Sequence, residues 1–533
     1  MVAEVVLVAV LVNFTIMKKA LFLFISVFAL SEAMAQIYTY PGLAKQFTTS
    51  YSVGTARMQA LGGSHSALGA DLSSISGNPA GLGFYTRSEV NLSLAYTGVQ
   101  TKSMYLSSAD EASESQIQMP TLGMVISSNN LSGGDWNGSF GFGYSRQAIF
   151  IQPITISGTN NRSSLLDNFI EKANDKGATG ASLDDEYDSY TGTAGSAEAL
   201  AYQSYLINPN SVTGGAPFER FQPLLPTNQY GSATNSGALT SWDFAYGASY
   251  QDKFYLGAAL HFSRINASSS TTWEDEFVGA KNVAGFQYAE TLLTTGSGIA
   301  LSLGGIYKVN PSLRLSLALK TPTYYDQMNE TYNARLFPNV IGIPTIGSTG
   351  NPITITKVNP IRLTTNEFTY QFVSPLKVSG GLAFFFSKKG FVTADVEYVG
   401  YGAMKVSSSE LGGSADQSFQ TKYNGQISRN FEGALNVKLG SEIRVSPVFS
   451  LRAGAALYGS GYAPSYDTID RNAFQVSGGI GYRKSNFYID LTAIRRMQKD
   501  AYTPYTLKTY SDFSSATLDM TSTQLMLGGG IYF

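Results

Sequence analysis

The sequence predicts an all-β protein, a transmembrane antiparallel β-barrel of about 14 strands with an N-terminal hatch in its lumen. Three observations lead to this prediction. Segments that alternate between apolar and polar residues are long enough to cross a bilayer as tilted strands, short and long connections alternate between them, and the chain ends on an aromatic residue. A chain with these features lies in a membrane, although no part beyond its N-terminal 35 residues resembles a membrane helix.

The composition fits a barrel in a membrane. Of 533 residues, 43% are hydrophobic, 13% aromatic and only 14% charged, whereas about a quarter of a soluble domain is charged. Tyr (33), Phe (31) and Gly (54) are abundant, as expected of aromatic girdles and a lumen lined by small residues. The formal net charge of -2 gives no indication of nucleic-acid binding. A soluble array of β-sandwiches is the alternative that composition leaves open.

The N-terminus resembles an export signal. Residues 1–35 are predicted to form a cleaved signal peptide whose true start is Met17, because Lys18 and Lys19 precede an apolar run and Ala33-Met34-Ala35 is a small-x-small cleavage site. The alternative is a single anchor over residues 5–30, which the two lysines interrupt. Gln36 follows the cleavage site, so no lipid anchor is expected. The chain contains no cysteine, and the exported fold must therefore be held by backbone pairing and packing.

Fourteen segments show the period of two that a half-buried strand requires. In the first, Val90, Leu92 and Leu94 share one face. The last ends on Phe533, which is expected to serve as the C-terminal signal to the barrel-assembly machinery. The predicted strands cover residues 89–98, 121–128, 136–150, 241–250, 254–265, 299–309, 313–320, 376–387, 391–398, 431–445, 448–459, 473–484, 487–497 and 521–533.

The connections predict the orientation in the membrane. Tight turn sequences lie at 251–253, 310–312, 387–390, 446–447 and 485–486, and long connections at 151–240, 266–298, 321–375, 399–430 and 498–520. Outer-membrane barrels have short periplasmic turns and long external loops, and a miscount by one strand would break this alternation. The chain is therefore predicted to lie in the outer membrane of a Gram-negative bacterium, in contact with its lipid, with both termini in the periplasm.

Two regions fall outside the strand pattern. Residues 36–86 are predicted to form the hatch, ahead of a barrel over residues 87–533 whose longest external loops are 151–240 and 321–375. The first of these loops contains helix-compatible stretches at 164–176 and 194–206. It also carries an acidic cluster, which is interpreted as a solvated surface run with cation binding as the alternative; its members are Asp184, Asp185, Glu186 and Asp188.

The segment before the first strand carries a recognisable motif. Small residues dominate residues 54–84, which contain Asp71-Leu72-Ser73 and then Asn78-Pro79-Ala80-Gly81-Leu82 directly before the first strand. This order resembles the FadL family of outer-membrane transporters for long-chain fatty acids and aromatic hydrocarbons. Later stretches also resemble that family, among them residues 374–382, 395–398, 439–444 and 451–454. The resemblance covers nearly all of the mature chain, although the 151–240 loop is longer than the family leads one to expect.

The resemblance implies a monomeric barrel plugged by the hatch, with an apolar ligand held above it and released sideways at a kink in the third strand. Arg57, Asp71 and Asn78 are expected to hold the hatch by hydrogen bonds, and Ser73, Pro79, Ala80 and Gly81 complete the hatch motif. The third predicted strand contains Gly138, Gly141 and Gly143. Glycine weakens strand pairing, so these residues are candidates for the lateral gate, with packing against the hatch as the equal alternative.

Two functions compete. The first is passive uptake of an apolar small molecule, for which the ligand candidates lie in loops: Phe218, Phe221, Leu224, Leu225 and Phe337. The second is a non-catalytic subunit of a multiprotein outer-membrane machine for protein secretion or barrel assembly, in which these loops would dock other outer-membrane proteins or lipoproteins. Six prolines between Pro322 and Pro375 make that loop stiff enough for a fixed interface. A general porin is a weaker third option, because a plugged lumen opposes it.

Chemistry for catalysis is not evident in the sequence. The only two histidines are His65 and His261, and although a barrel serine could lie near His261 by chance, no orienting acid occurs at local spacing. The glycine runs 478–481 and 528–530 lie within strands and are not phosphate loops. The sequence predicts no enzyme activity, no cofactor and no metal.

Overall fold

The computed structural model describes residues 40–49, 51, 53–128, 135–210, 214–223, 226–346 and 351–533. The predicted signal peptide, and residue 36 at which the mature chain was expected to begin, lie outside these ranges.

The described strands form one closed antiparallel barrel. Each of fourteen strands pairs with the next, and the last pairs with the first. The predicted fold class and strand number are therefore confirmed. The strands are β1 Glu89–Tyr105, β2 Ser108–Ser128, β3 Trp136–Ile149, β4 Thr227–Tyr250, β5 Phe254–Phe277, β6 Val283–Asn310, β7 Leu313–Lys320, β8 Lys377–Phe385, β9 Gly390–Gly400, β10 Gly433–Arg444, β11 Phe449–Tyr458, β12 Ala473–Arg483, β13 Phe487–Tyr502 and β14 Ala516–Tyr532.

The seam between β1 and β14 closes the wall. It runs in unbroken register from Glu89 opposite Tyr532 to Met104 opposite Thr517. At its foot, Ser88 and Phe533 exchange two backbone hydrogen bonds of 3.1 and 3.0 Å. Phe533 thus lies at the end of the barrel that carries the tight turns, which we call the turn end; the opposite end, with the long connections, is the loop end.

The outward strand faces are apolar. Val90, Leu92 and Leu94 of β1 are 42–46% exposed, and Phe244 and Tyr246 of β4 are similarly exposed. Water would oppose so many exposed apolar side chains, whereas a bilayer stabilises them. Among the described residues, no helix is long and apolar enough to cross a bilayer.

Several strands extend far beyond the predicted membrane-crossing lengths. The β1–β2 hairpin turns only at Leu106 and Ser107, and β5 and β6 remain paired as far as Glu276 opposite Gly285. The prediction that 266–298 is a loop was therefore wrong. The cause is visible in residues 266–272, which are all Ser, Thr, Ala or Asn. They continue the β-ladder beyond the apolar part of the strand, and because both strand faces are small or polar there, the alternation that marks a membrane strand is lost.

The loop end is a folded cap. The helix-compatible stretches of loop 151–240 do form helices, α3 Leu165–Asp175 and α5 Ala197–Gln203, and α3 begins with a capping box at Ser164. Cap helices and strand extensions share one apolar core that includes Phe169, Leu200 and Tyr505. The remaining cap elements are α4 Gly180–Asp185, α6 Gly413–Asn430, the 3₁₀ turns Tyr401–Ala403 and Tyr510–Asp512, and short strands at Gln152–Asn160, Tyr187–Asp188, Thr193–Ala194, Ile207–Pro209, Phe218–Arg220, Tyr324–Val340, Ile343–Ile346, Pro352–Ile355, Ile361–Leu363, Asn366–Val373 and Lys405–Ser407.

The N-terminal residues lie inside the barrel. Helix α1, Tyr40–Thr48, sits at the loop end, where the Tyr40 ring packs against Phe419 of α6 at 4.9 Å. Residues 53–86, which we call the lumenal segment, then descend to β1 at the turn end. They contain α2 Ala56–Ala60 and the 3₁₀ turns Leu72–Ser74 and Pro79–Phe84.

Wall glycines allow the lumenal segment to approach the strands closely. A Cβ atom added to Gly454 of β11 would lie 2.0 Å from the Gly62 nitrogen, and one added to Gly304 of β6 would lie 1.9 Å from Asn78 Oδ1. Contacts of this kind occur on β3 to β6, β8, β10 to β12 and β14. The segment is therefore enclosed on most of its circumference and packed closely against these strands.

We expect Gly304→Ala to lower the free energy of unfolding by about 1–3 kcal/mol, because overpacking forces the Asn78 side chain or the strand to move. Urea denaturation in detergent measures the change. Gly305→Ala is the matched control, since a Cβ atom there has no contact closer than 3.9 Å. Equal losses in both variants would contradict the packing described here.

Candidate functional site

A cavity of about 330 Å³ lies in the lumen between α1, the top of the lumenal segment and the wall. Its lining combines aliphatic and aromatic side chains with cationic ones. The apolar part comes from Ile149, Phe150, Ile151, Ile494, Met520 and Met526, and the tyrosines are Tyr51, Tyr401, Tyr458, Tyr462 and Tyr466. We call it the upper cavity.

The wall is interrupted where this cavity meets β3. The β2–β3 ladder runs from Ser128 opposite Gly138 to Thr121 opposite Ser145 and stops there, although β2 continues paired with β1. Beyond Ser145, β3 stays paired only with β4, with a register shift between Arg146 and Ala148.

A second strand segment bounds the interruption above. After Phe150 and Ile151 the chain resumes as Gln152–Asn160, again paired with β4. Its Ser157 hydroxyl donates to Asp110 of β2 at 2.9 Å. The gap between β2 and β3 is lined by Gln118, Pro120 and residues 146–151, all of which also line the upper cavity.

Three cations of the upper cavity have only uncharged hydrogen-bonding partners in the described part of the chain. Arg146 donates to Gln118 Oε1 at 3.4 Å, and its Nε is buried without a partner. Arg496 donates to Gln475 Oε1 at 3.1 and 3.3 Å and stacks on the Tyr51 ring at 3.5 Å. Arg471, by contrast, is paired with Asp467 and Asp500.

Lys45 on α1 is the third such cation. Its Nζ donates to Thr49 Oγ1 at 3.1 Å and lies 3.7 Å from the centre of the Tyr401 ring. Burial lowers the pKa of Lys45 to about 7, because desolvation disfavours the ammonium form and Asp500 offsets this only in part. Lys45 therefore changes its charge close to neutral pH.

The motif residues of the lumenal segment fold it locally. Asp71 caps the turn Leu72–Ser74 by accepting from the Ser73 nitrogen at 3.0 Å, and it also accepts from the Thr55 hydroxyl at 2.9 Å. The Ser73 hydroxyl accepts from the Thr55 nitrogen at 2.8 Å. These bonds join the two halves of the segment.

Asn78 has the corresponding role at the second turn, Pro79–Phe84. Its side chain accepts from the Ala80 nitrogen at 3.2 Å and donates to the Ser66 carbonyl at 2.9 Å. A Cβ atom on Gly81 would lie 2.4 Å from the Ser74 hydroxyl, so only glycine fits there. All of Asn78, Pro79, Ala80 and Gly81 are buried.

Arg57 joins the lumenal segment to the wall. Its Nε lies 3.0 Å from Glu442 of β10, which also accepts from Arg452 Nε at 2.7 Å. Arg452 in turn pairs with Asp490 of β13 at 2.5 Å. Removing one member of such a buried chain leaves an uncompensated charge, which is costly.

The glycines considered for a gate lie in the regular part of β3. Gly138, Gly141 and Gly143 are paired with both β2 and β4, below the interruption. A Cβ atom on Gly141 would lie 2.7 Å from Ile75 of the lumenal segment, and one on Gly143 would lie 3.4 Å from it. Gly138 faces the Tyr246 hydroxyl instead.

Of the loop residues considered as ligand contacts, Phe218, Phe221 and Phe337 do not line the upper cavity. Phe218 is 1% exposed within the cap core and Phe221 packs against that core, while Phe337 lies under the Arg335 guanidinium at 4.7 Å. Leu224 and Leu225 lie outside the described residues. No short sequence pattern could have revealed Lys45, Arg146 and Arg496 as a group, because only the fold brings them to one cavity.

His261 has an acidic partner that local spacing did not reveal. Its Nδ1 lies 2.7 Å from Asp243 Oδ1 and its Nε2 lies 2.7 Å from the Ser302 hydroxyl. The three side chains belong to β4, β5 and β6, are at most 1% exposed and do not line the upper cavity. We assign them to hydrogen bonding within the wall.

Comparison with known proteins gives the fold. No family model matches the chain, and no curated protein matches it. Among solved structures, the chain is similar to a FadL homologue of Pseudomonas aeruginosa, with a TM-score of 0.52, 11% identity, and coverage of 91% of this chain and 99% of that one. It is also similar to the P. putida toluene transporter TodX, with a TM-score of 0.50, 13% identity, and coverage of 91% and 99%. The FadL-type fold predicted from the N-terminal motif is thus confirmed.

We expect Lys45→Met to stabilise the protein at pH 6 and to lose this advantage as the pH rises from 7 towards 10.5. The folded-state pKa of Lys45, about 7, lies below the ordinary value of 10.5, so burying the ammonium destabilises the fold fully below pH 7 and progressively less above it. Urea denaturation at pH 6 and pH 9.5 measures the difference. Lys499→Met, on an exposed residue of the same cavity, is the control; a pH-independent effect of Lys45→Met would contradict the assignment.

Proposed function

We propose that the protein is an outer-membrane channel for passive uptake of apolar small molecules, which bind in the upper cavity and leave sideways between β2 and β3. The observation that carries this proposal is the coincidence of a lumenal cavity with the one long interruption among the described barrel strands. The FadL homologue and the toluene transporter with a similar fold support it.

The lining favours a fatty acid over a neutral aromatic hydrocarbon as the ligand. The apolar and aromatic side chains can take up an alkyl chain, which gains about 0.8 kcal/mol per buried CH₂. Lys45, Arg146 and Arg496 are buried or half-buried with uncharged partners. A carboxylate would supply the missing negative charge, whereas toluene would leave these cations as they are.

The lumenal segment acts, in this proposal, as the hatch. It fills the barrel below the upper cavity, so an apolar ligand cannot pass straight on to the periplasm and a general porin is disfavoured. Sideways release into the bilayer keeps the alkyl chain out of water throughout. The weak Arg146–Gln118 contact of 3.4 Å across the gap is the closing element. We also propose that the barrel-assembly machinery recognises the C-terminal end of β14 with Phe533.

We expect Arg146→Gln and Arg496→Gln each to weaken laurate binding about 10- to 100-fold, because a charge-assisted hydrogen bond contributes about 1.5–3 kcal/mol. Calorimetric titration in detergent measures the affinity. Arg495→Gln removes the same charge from the exposed neighbour of Arg496 and should leave binding unchanged. Binding should also weaken above pH 7 as Lys45 loses its proton. Laurate binding that is indifferent to both cavity arginines would refute the fatty-acid site.

We expect a reversible bis-methanethiosulfonate cross-link between Gln118→Cys and Arg146→Cys, whose side chains meet only at their tips, to slow transfer of bound laurate to lipid vesicles at least about tenfold, because it ties β2 to β3 across the gap and has the reach that a direct disulfide lacks. The native chain contains no cysteine, so no other thiol competes for the cross-linker. The same double variant in reductant is its own control and should release laurate faster. Equal rates in both redox states would exclude release at this place.

The alternative function as a structural subunit keeps one observation in its favour. The 151–240 connection forms part of a cap with its own apolar core, which offers a fixed surface. Exchanging this connection separates the two functions: loss of a stoichiometric complex would indicate the subunit, and an altered ligand preference would indicate uptake.

A further inference from the structure

The charged side chains of the turn end are unevenly distributed around the barrel. One half of the rim, from the β8–β9 turn to the start of β1, contains no Asp or Glu in its turn sequences, which are residues 386–390, 444–449, 483–487 and 86–88. The same turns carry six cations, which we call the basic arc: Arg87, Lys388, Lys389, Arg444, Arg483 and Lys484. Five of the six are exposed, and Arg483 is half-buried.

The acidic side chains of the turn end lie on the other half of the rim. Asp135 precedes β3 and Asp252 belongs to the β4–β5 turn, and both are exposed. Asp252 is paired there with Lys308 of β6. These carboxylates therefore do not neutralise the basic arc.

Backbone hydrogen bonds between neighbouring turns hold the basic arc at one level of the wall. The Arg444 nitrogen donates to the Lys389 carbonyl at 2.8 Å, and the Arg483 nitrogen donates to the Val448 carbonyl at 2.8 Å. The β12–β13 turn is joined to the end of β14 in the same way, and the end of β14 to the start of β1. The six cations thus follow the rim as a continuous row.

The described partners of the basic arc are uncharged. Arg87 donates to the Ser485 carbonyl and its guanidinium lies 4.5 Å from the centre of the Tyr532 ring. The Arg483 guanidinium lies 5.0 Å from the centre of the Tyr488 ring. No ion pair among the described residues includes a member of the arc.

A surplus of positive charge remains when every nearby carboxylate is counted. The C-terminal carboxylate of Phe533 lies at the seam, and Glu89 and Asp71 lie behind the seam in the lumen, 2% and 5% exposed. Six cations against these three carboxylates leave three positive charges uncompensated. Further into the lumen, two pairs neutralise each other: Arg57–Glu442 and Arg452–Asp490.

Outward apolar side chains lie directly beside the basic arc. Phe386 of the β8–β9 turn is 50% exposed, Val445 next to Arg444 is 57% exposed and Phe533 is 67% exposed. Exposed aromatic side chains at a barrel rim mark the border between hydrocarbon and lipid head groups. The long stems of Lys and Arg let their charges reach the head groups from this border. The arc is therefore placed at the depth of lipid phosphates.

We propose that the basic arc binds the head groups of anionic phospholipids in the leaflet that surrounds the turn end, which is the periplasmic leaflet in the predicted orientation. The ammonium and guanidinium groups donate to the phosphate oxygens, and the acyl chains lie against the outward apolar side chains. These side chains favour a lipid over an acidic protein as the occupant, because they need hydrocarbon beside the charges. The site goes beyond the proposed uptake of apolar molecules and uses no residue of the upper cavity.

The test is binding of phospholipids to the full-length protein in detergent, measured by native mass spectrometry. We expect phosphatidylglycerol to bind at least about fivefold more tightly than phosphatidylethanolamine with the same acyl chains, because only the former carries a net negative charge. Lys388→Gln/Lys389→Gln/Arg444→Gln should weaken phosphatidylglycerol binding at least about threefold and leave phosphatidylethanolamine binding unchanged. The matched control removes three exposed charges from the loop end and should leave both affinities unchanged: Lys281→Gln/Lys357→Gln/Lys405→Gln.

Two competitors separate this site from other anion sites. Free glycerol 1-phosphate, which has the phosphate but no acyl chain, should not displace phosphatidylglycerol at millimolar concentration. Saturating laurate, which occupies the upper cavity in the proposed function, should leave the preference for phosphatidylglycerol unchanged, so that either proposal can fail without the other.

Equal affinity of the unmodified protein for both lipids would overturn the proposal. So would a preference that the triple variant of the arc retains, an equal loss in the loop-end control, or displacement by either competitor. If the triple variant does not fold, Lys388→Gln/Lys389→Gln, which is confined to an exposed turn, replaces it.

Discussion

Satisfying backbone hydrogen bonds inside a bilayer is the constraint on which this structure depends. A peptide group facing hydrocarbon cannot bond to water, so each strand needs a partner on both sides. The fourteen strands meet this requirement by closing at the β1–β14 seam, where Glu89 to Met104 pair with Tyr532 to Thr517. Once the wall is closed, its inner face becomes a separate environment in which polar and charged side chains are held by one another and by the lumenal segment.

This constraint gives weight to the interruption between β2 and β3. Above Ser145, β3 is bonded to β4 only, and β2 is met there by the Arg146 side chain, which donates to Gln118, and by the segment Gln152–Asn160. An unpaired strand edge at membrane depth is costly unless it borders protein or a cavity. The upper cavity lies behind this edge, which links the departure from regular pairing to a space that can hold a ligand.

The sequence predicted the membrane part of the fold well, because there one strand face meets lipid and the other meets the lumen. Strands such as β1 and β4 carry that pattern plainly. Their extensions beyond the bilayer do not: in residues 266–272 both faces are polar or small, so the ladder continues without an apolar period. The helices α3 and α5 were predictable because Ser164 and Ser196 cap them locally.

The candidate site was harder to predict. Asp71 and Asn78 act within a few residues of their own positions, and their roles follow from the motif. Lys45, Arg146 and Arg496 are far apart in the chain and share no spacing, so only the closed wall brings them to one cavity. Asp243 and His261 are cross-strand partners, a relation that depends on register. The glycines of β3 illustrate the same limit. A glycine has no side chain, so the sequence does not show whether the backbone at that position faces lipid, a gap in the wall or Ile75 of the lumenal segment.

The enclosed N-terminal part also bears on the order of assembly. Residues 40–49 and 53–86 lie along the lumen, from α1 beneath the cap to Ser88 at the foot of β1, and Gly62 touches the backbone of β11. A finished cylinder packed this tightly has no passage through which such a chain could be drawn. The barrel wall must therefore close around the N-terminal segment. The order of the chain suits this, because the segment is attached to the first strand and can be in place before the fourteenth strand pairs with the first.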